Sequence, residues 1–127
     1  MKQPDQQIHD AIMEEVSKLG LKVYPTLPDL GTAYPFIVMG DTHLLPRPTK
    51  SRMIGSVAVD IHVWGSFKDR RLVSDTLARV MEVCSRIKRL DSRQWSMDLT
   101  SDTQLLKDNS TPEVLYHGVA DVTFRFL

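Results

Sequence analysis

Residues 34–67, YPFIVMGDTHLLPRPTKSRMIGSVAVDIHVWGSF, contain the alternation that decides the fold. Val57, Val59, Ile61 and Val63 point one way along an extended chain, and Ser56, Ala58, Asp60, His62 and Trp64 point the other. A period of two with one apolar side is the mark of a half-buried strand. Tyr34–Met39 is a shorter apolar run with Pro35 near its start, where a strand tolerates proline. Gly40–Ser51, holding two prolines, two basic residues and a histidine, is predicted as a long polar loop between the two strands. A loop longer than a hairpin needs suggests a functional element.

Upstream, Pro4 and Asp5 open a helix in which Ile8, Ile12, Val16 and Leu19 recur at helical spacing beside Ala11, and Gly20 closes it. Leu21–Tyr24 is a brief strand stopped by Pro25 and Pro28. Downstream, Ser66 and Asp69 have the spacing of a capping box and predict a second helix. Its apolar side is Val73, Leu77, Val80, Cys84 and Ile87, widened by Leu72, Thr76 and Val83, and it ends near Lys88 and Arg89.

Two strands complete the pattern. Trp95, Met97 and Leu99 alternate with polar residues, and the run continues through Leu105. Asn109–Pro112 supplies a turn, after which Val114, Tyr116, Ala120, Val122, Phe124 and Phe126 share a side opposite His117, Asp121, Thr123 and Arg125. Gly118 predicts a bulge or a close backbone approach. With one strong crossover helix, the predicted class is α+β: a mostly antiparallel sheet of four to five strands, two helices on one face, in the order α-β-β-β-α-β-β.

The 127 residues suit a single domain, 1–127. Sixteen basic and sixteen acidic residues cancel, which argues against strong nonspecific attraction to phosphate and favours self-association. Cys84 is the one cysteine, so no intramolecular disulfide is possible and a reducing compartment is expected. The opening MKQPDQQIHD lacks an apolar signal core, and no run approaches a membrane span, so a soluble cytoplasmic product is expected.

Candidate chemistry is sparse. His9, His43, His62 and His117 lack the close spacings of metal sites, so neither metal nor cofactor is expected. Asp60 with His62, and Asp121 with His117, would form a carboxylate–imidazole cluster if their strands pair, but nothing in the sequence specifies a nucleophile or a pocket. Cys84 sits among apolar helical neighbours as a structural thiol. Trp64 and Trp95 suit sheet packing at least as well as a binding surface. Arg47, Lys50 and Arg52 form the one basic cluster, and by spacing alone they read as a solvated hairpin tip.

The run from Val23 to Cys84 resembles the tail-completion and tail-to-head joining proteins of long-tailed bacteriophages and prophages, a family related in fold to lambda-type tail terminators. The resemblance is carried by the strand from Tyr34 to Gly40 followed by Asp41-Thr42, by Thr49-Lys50, by the strand ending Ile61-His62-Val63-Trp64, and by Arg70-Arg71. It implies a structural, non-enzymatic virion protein, made in the host cytoplasm, that closes the tail tube or joins tail to head as a ring, commonly a hexamer. The implied partners are further copies of itself, a tail-tube protein, a head-connector protein and DNA passing through the lumen, with no membrane. The implied assembly interface is Asp41, Thr42, His43, Arg47, Thr49, Lys50, Arg52, Arg70 and Arg71. Two other classes compete with it. One is a small nucleic-acid-binding or protein-binding module using the basic stretch 40–52. The other is a small hydrolase or isomerase using Asp60, His62, His117 or Asp121.

Overall fold

A computed structural model describes residues 2–127, with the side chain of Pro48 outside the description. The elements are α1 (Pro4–Lys18), β1 (Val23–Tyr24), β2 (Phe36–Pro48), β3 (Met53–Gly65), α2 (Arg70–Arg86), β4 (Arg89–Leu90), β5 (Arg93–Met97), β6 (Asp102–Asp108) and β7 (Leu115–Phe126). The strands form one sheet in the order β1-β2-β3-β7-β5-β4, with β6 also paired to β7. All pairings are antiparallel except β1 with β2.

The α+β class and the mostly antiparallel sheet are as expected, but there are seven strands rather than four to five. The run predicted as one strand from Trp95 to Leu105 is two. β5 pairs with the end of β7 (Trp95 opposite Phe126), β6 with its beginning (Asp108 opposite Leu115), and Asp98–Ser101 breaks the ladder between them. The break is made by Asp98, whose carboxylate accepts from the Thr100 N–H at 3.0 Å and its hydroxyl at 3.1 Å, an Asx turn that competes with strand pairing. Leu99, alternating correctly in sequence, is consequently fully exposed.

A larger departure concerns Gly40–Ser51, which is not a loop. Most of it continues β2, pairing with β3 from Thr42 opposite Val59 to Pro48 opposite Met53, and the hairpin tip is only 49–52. Pairing skips between Met39 and Thr42, so Gly40 and Asp41 form a bulge. Thr42 and Leu44 then fall opposite the buried Val59 and Val57, while His43 and Leu45 fall on the other side. Pro46 is tolerated because β1 covers β2 only at Ile37 and Val38, leaving the margin beyond without a strand that would need its N–H. At the tip, Thr49 accepts the Arg52 N–H at 3.1 Å through its hydroxyl oxygen.

The core lies between the sheet and the two helices. Ile8, Ile12 and Val16 of α1 and Val73, Val80 and Cys84 of α2 pack with Val57, Val59, Ile61 and Val63 of β3 and Val122, Phe124 and Phe126 of β7. Leu72, expected to widen the buried side of α2, is exposed, as is Val114 before β7. The Ser66–Asp69 box is half formed: Asp69 accepts from the Ser66 N–H and hydroxyl, each at 2.8 Å, while its own N–H goes to the Ser66 carbonyl, and the helix begins one residue later.

Gln7, which no periodicity singled out, is buried and ties α1 to the β4–β5 turn. Its amide donates to Asp91 at 3.0 Å and accepts from Arg93 at 3.0 Å. Gly118 lies in unbroken register opposite Val63, so it is not a bulge but a close approach. A Cβ there would stand 2.7 Å from Leu77 Cδ1 and 2.9 Å from Val73 Cγ1. Gly118→Ala is therefore expected to destabilise the protein by about 1–3 kcal/mol through overpacking. Urea denaturation measures this, and an unchanged midpoint would contradict so tight a contact.

Candidate functional site

The outer face of the sheet, turned away from the helices, gathers the titratable residues that the sequence had spread over two strands. Asp60 on β3 is directly opposite Asp121 on β7, and Asp121 is opposite Asp102 on β6. Two residues along β3, His62 Nδ1 lies 2.8 Å from His117 Nε2. The Trp64 indole stacks on His117 with ring centroids 3.9 Å apart and planes within 7°. The expected proximity of Asp60, His62, His117 and Asp121 is thus real.

One group on each strand is shifted, Asp60 on β3 and His117 on β7. Burial, and then the hydrogen bond to Asp121, raise the Asp60 pKa above its ordinary value, because two carboxylates facing each other resist double ionisation. Burial, and then the neighbouring His62, lower the His117 pKa. An N–H···N contact needs one donor and one acceptor, so the histidine pair keeps its hydrogen bond with one ring protonated but not with both. The bulge makes room for this cluster: a Cβ on Gly40 would fall 2.9 Å from the Asp60 carbonyl and from His62 Nε2.

Both pairs sit on the outer face of the sheet. Cys84 is buried in the core, and burial pushes its thiol up to about 12. Among the described residues no group of three or more His, Cys, Asp or Glu side chains is placed to hold a metal ion, and no helix is long and apolar enough to cross a membrane. Trp95 is a core residue, tilted on Phe126 and edge-on to Phe124.

The interface residues suggested by the resemblance fall into two groups. Asp41 is exposed at the bulge, Thr42 is half-buried on the helix side, and His43 and Arg47 are exposed along β2. Thr49, Lys50 and Arg52 are exposed at the tip; the first seven thus run as one arm along the β2 margin to the hairpin tip, which stands beyond the sheet only past Gly55, where the pairing of β3 with β7 ends. Arg70 and Arg71 are exposed at the start of α2, beyond the opposite end of β3. A 13-residue strand spans roughly 40 Å, so the arm tip and this arginine pair mark opposite ends of the molecule.

Beyond the end of the outer face that carries Trp64 lies an apolar groove of about 200 Å³, lined by Tyr34, Phe36, Trp64 and Leu115 with Leu27 and Leu30 of the connection before β2. Tyr34 stacks on Phe36 there at 5.3 Å. Sequence reasoning missed this groove, because its apolar residues come from a proline-rich connection and three strands with no shared period.

No protein-family model matches this chain, and no curated protein matches it. Solved structures do share its fold. A chain from the virion of a native gene transfer agent particle aligns over 95% of this chain and 95% of its own, with a TM-score of 0.71 and 11% identity. The bacteriophage SPP1 gp17 protein aligns over 98% of this chain and 91% of its own, with a TM-score of 0.66 and 24% identity.

The two shifts change stability with pH in opposite directions. Because the folded His117 pKa is lowered, the folded state binds fewer protons than the unfolded one, so stability falls as pH drops below about 6.5 toward the folded value. His117→Gln is expected to flatten that loss, by a fraction of the about 1.4 kcal/mol that one full pKa unit carries, since the ring is partly solvated. The raised Asp60 pKa works the other way: its ionisation penalty is absent below the ordinary 3.8 and grows as pH rises through the folded value. Asp60→Asn should therefore stabilise by up to about 1 kcal/mol at pH 7 and by nothing at pH 3. Denaturation midpoints across pH 3–8 check both signs.

Proposed function

We propose that this chain is a structural assembly protein of a long-tailed phage or prophage virion, closing the end of the tail tube, joining tail to head, or both. The observation that carries the reading is the end-to-end likeness of fold to bacteriophage SPP1 gp17, over 98% of this chain. The likeness to a chain of a gene transfer agent virion supports the same setting, as does the resemblance of residues 23–84 to tail-completion proteins. The role is structural rather than enzymatic and uses no cofactor. The protein is made in the host cytoplasm and located in the virion at the head–tail interface.

In this reading the subunits form a ring, of six copies by analogy with the family, on which tail-tube and head-connector proteins dock and through which DNA passes. The arm, from Asp41 through Thr42, His43, Arg47, Thr49 and Lys50 to Arg52, reaches a neighbouring subunit or virion protein, and Arg70 and Arg71 meet a different partner at the other end. The outer face carries Asp60, Asp102 and Asp121 in one cross-strand row and is a poor surface for DNA, so contact with passing DNA falls to the arm.

The arm also supports a second reading, a small nucleic-acid-binding or protein-binding module, because residues 42–52 hold three cationic side chains and no carboxylate. Disrupting the gene in its phage or prophage separates the two. Virion assembly predicts tails of abnormal length, or filled heads and tails that remain unjoined, with normal assembly restored by the intact gene. Normal particle yield from the disrupted gene, with salt-dependent DNA binding by the isolated chain, would overturn it in favour of the module. Within the assembly reading, Lys50→Glu with Arg52→Glu should leave the thermal midpoint within about 2 °C, since both side chains are exposed. The same variant should lower the yield of joined particles at least about tenfold, a factor worth 1.4 kcal/mol.

A further inference from the structure

We propose that the free margin of β6 accepts, as an antiparallel neighbour, the free margin of β2 from a second copy of this chain. The inference rests on the ring reading above and specifies its subunit contact. Among the described residues, β2 beyond the stretch opposite Tyr24 pairs with no strand but β3, and β6 with none but β7. The two strands are therefore opposite margins of one sheet, each with a row of main-chain groups that lack a strand partner.

Strand direction selects the geometry. β2, β3, β7 and β6 alternate in direction, so β6 runs opposite to β2. A rotation about an axis roughly along the strands preserves those directions and brings β6 of one copy antiparallel to β2 of the next. The contact uses different surfaces on the two copies, so it repeats from copy to copy, and it gives the ring of the reading above when the rotation closes.

Charge and apolar surface agree with this pairing. Residues 42–52 contribute Arg47, Lys50 and Arg52 without a carboxylate, whereas β6 contributes Asp102 and Asp108 against Lys107. A chain of zero net charge thus has a positive margin and a negative one. Leu45 on β2 and Leu106 on β6 are both about half exposed, and both lie on the outer face, opposite Ser56 and His117 respectively. Addition of β2 to β6 continues that face and covers leucines that water otherwise meets.

Next to β6, beneath α2, runs a groove of about 510 Å³ whose helix wall includes the small Ser74 and Ala78, which leaves room for an added strand. Pro46 limits the mating stretch of β2 to the residues between the bulge and itself, Thr42–Leu45. Leu105, Gly118, Val63 and Ile37 lie in one row, so β6 is level with the part of β2 that β1 covers. The copies therefore mate with a stagger, as strands inclined to a ring axis do.

The test places a p-benzoylphenylalanine at the exposed Gln104 of the full chain, irradiates it over a concentration series and in purified particles, and maps the adducts by mass spectrometry. Sedimentation run in parallel reports whether the chain associates. Adducts should join position 104 to residues 42–47 of another copy. Arg47→Glu should lower their yield about fivefold, with recovery when Asp102→Lys is added. Association with adducts that map to any other segment overturns the edge contact and leaves the ring reading standing. Absence of association up to about millimolar concentration, together with absence of adducts in particles, overturns both.

Discussion

The burial of Val57, Val59, Ile61 and Val63 is the interaction on which the rest of the molecule depends. All four are at most 1% exposed, and β3, which carries them, is hydrogen-bonded along its length to β2 on one side and β7 on the other. Burying them on one face forces Asp60, His62 and Trp64 onto the other, because side chains alternate. It also fixes the register, since a slip of one residue would exchange the two sets. The helices follow from the same strip: α1 offers Ile8, Ile12 and Val16 to it, and α2 approaches close enough to require Gly118.

The outer face is the counterpart of that core, and stability alone does not account for it. Like charges directly across a sheet are destabilising, yet Asp60, Asp121 and Asp102 occupy one row. The raised Asp60 and lowered His117 pKa values are local consequences: one carboxylate keeps its proton more firmly, and one imidazole gives it up more easily. Trp64, stacked on His117, also lines the groove that reaches Leu115.

Much of this was legible in the sequence where a residue's neighbour in space is also its neighbour in period. The helix over Val73–Ile87, the β3 alternation and the approach at Gly118 were readable because burial imposes a spacing the sequence must obey. Gly40–Ser51 was misread for the complementary reason. Its prolines and charges lie on a sheet margin, where neither needs burial nor a ladder partner, so β2 continues under a composition typical of loops. Trp95–Leu105 failed differently: Asp98 takes the Thr100 N–H through its side chain, a local bond that alternation cannot reveal. The pairing of Asp60 with Asp121, and of His62 with His117, was visible only conditionally, because register between β3 and β7 is a property of the sheet. The groove at Tyr34 and Trp64 and the Gln7–Arg93 tie join residues far apart in the chain and had no sequence signal.

The proposed role, a subunit that works by being joined to others, draws on the fold likeness over nearly the whole chain, the basic end of the β2–β3 hairpin and two unlike margins on one sheet. Electron cryomicroscopy of particles produced by the phage or prophage that encodes this chain tests that claim most directly. The account predicts this fold at the junction of head and tail, in a closed ring whose neighbouring copies meet along β2 and β6. Particles with a fully assigned head–tail junction that contain no copy of the chain would contradict it.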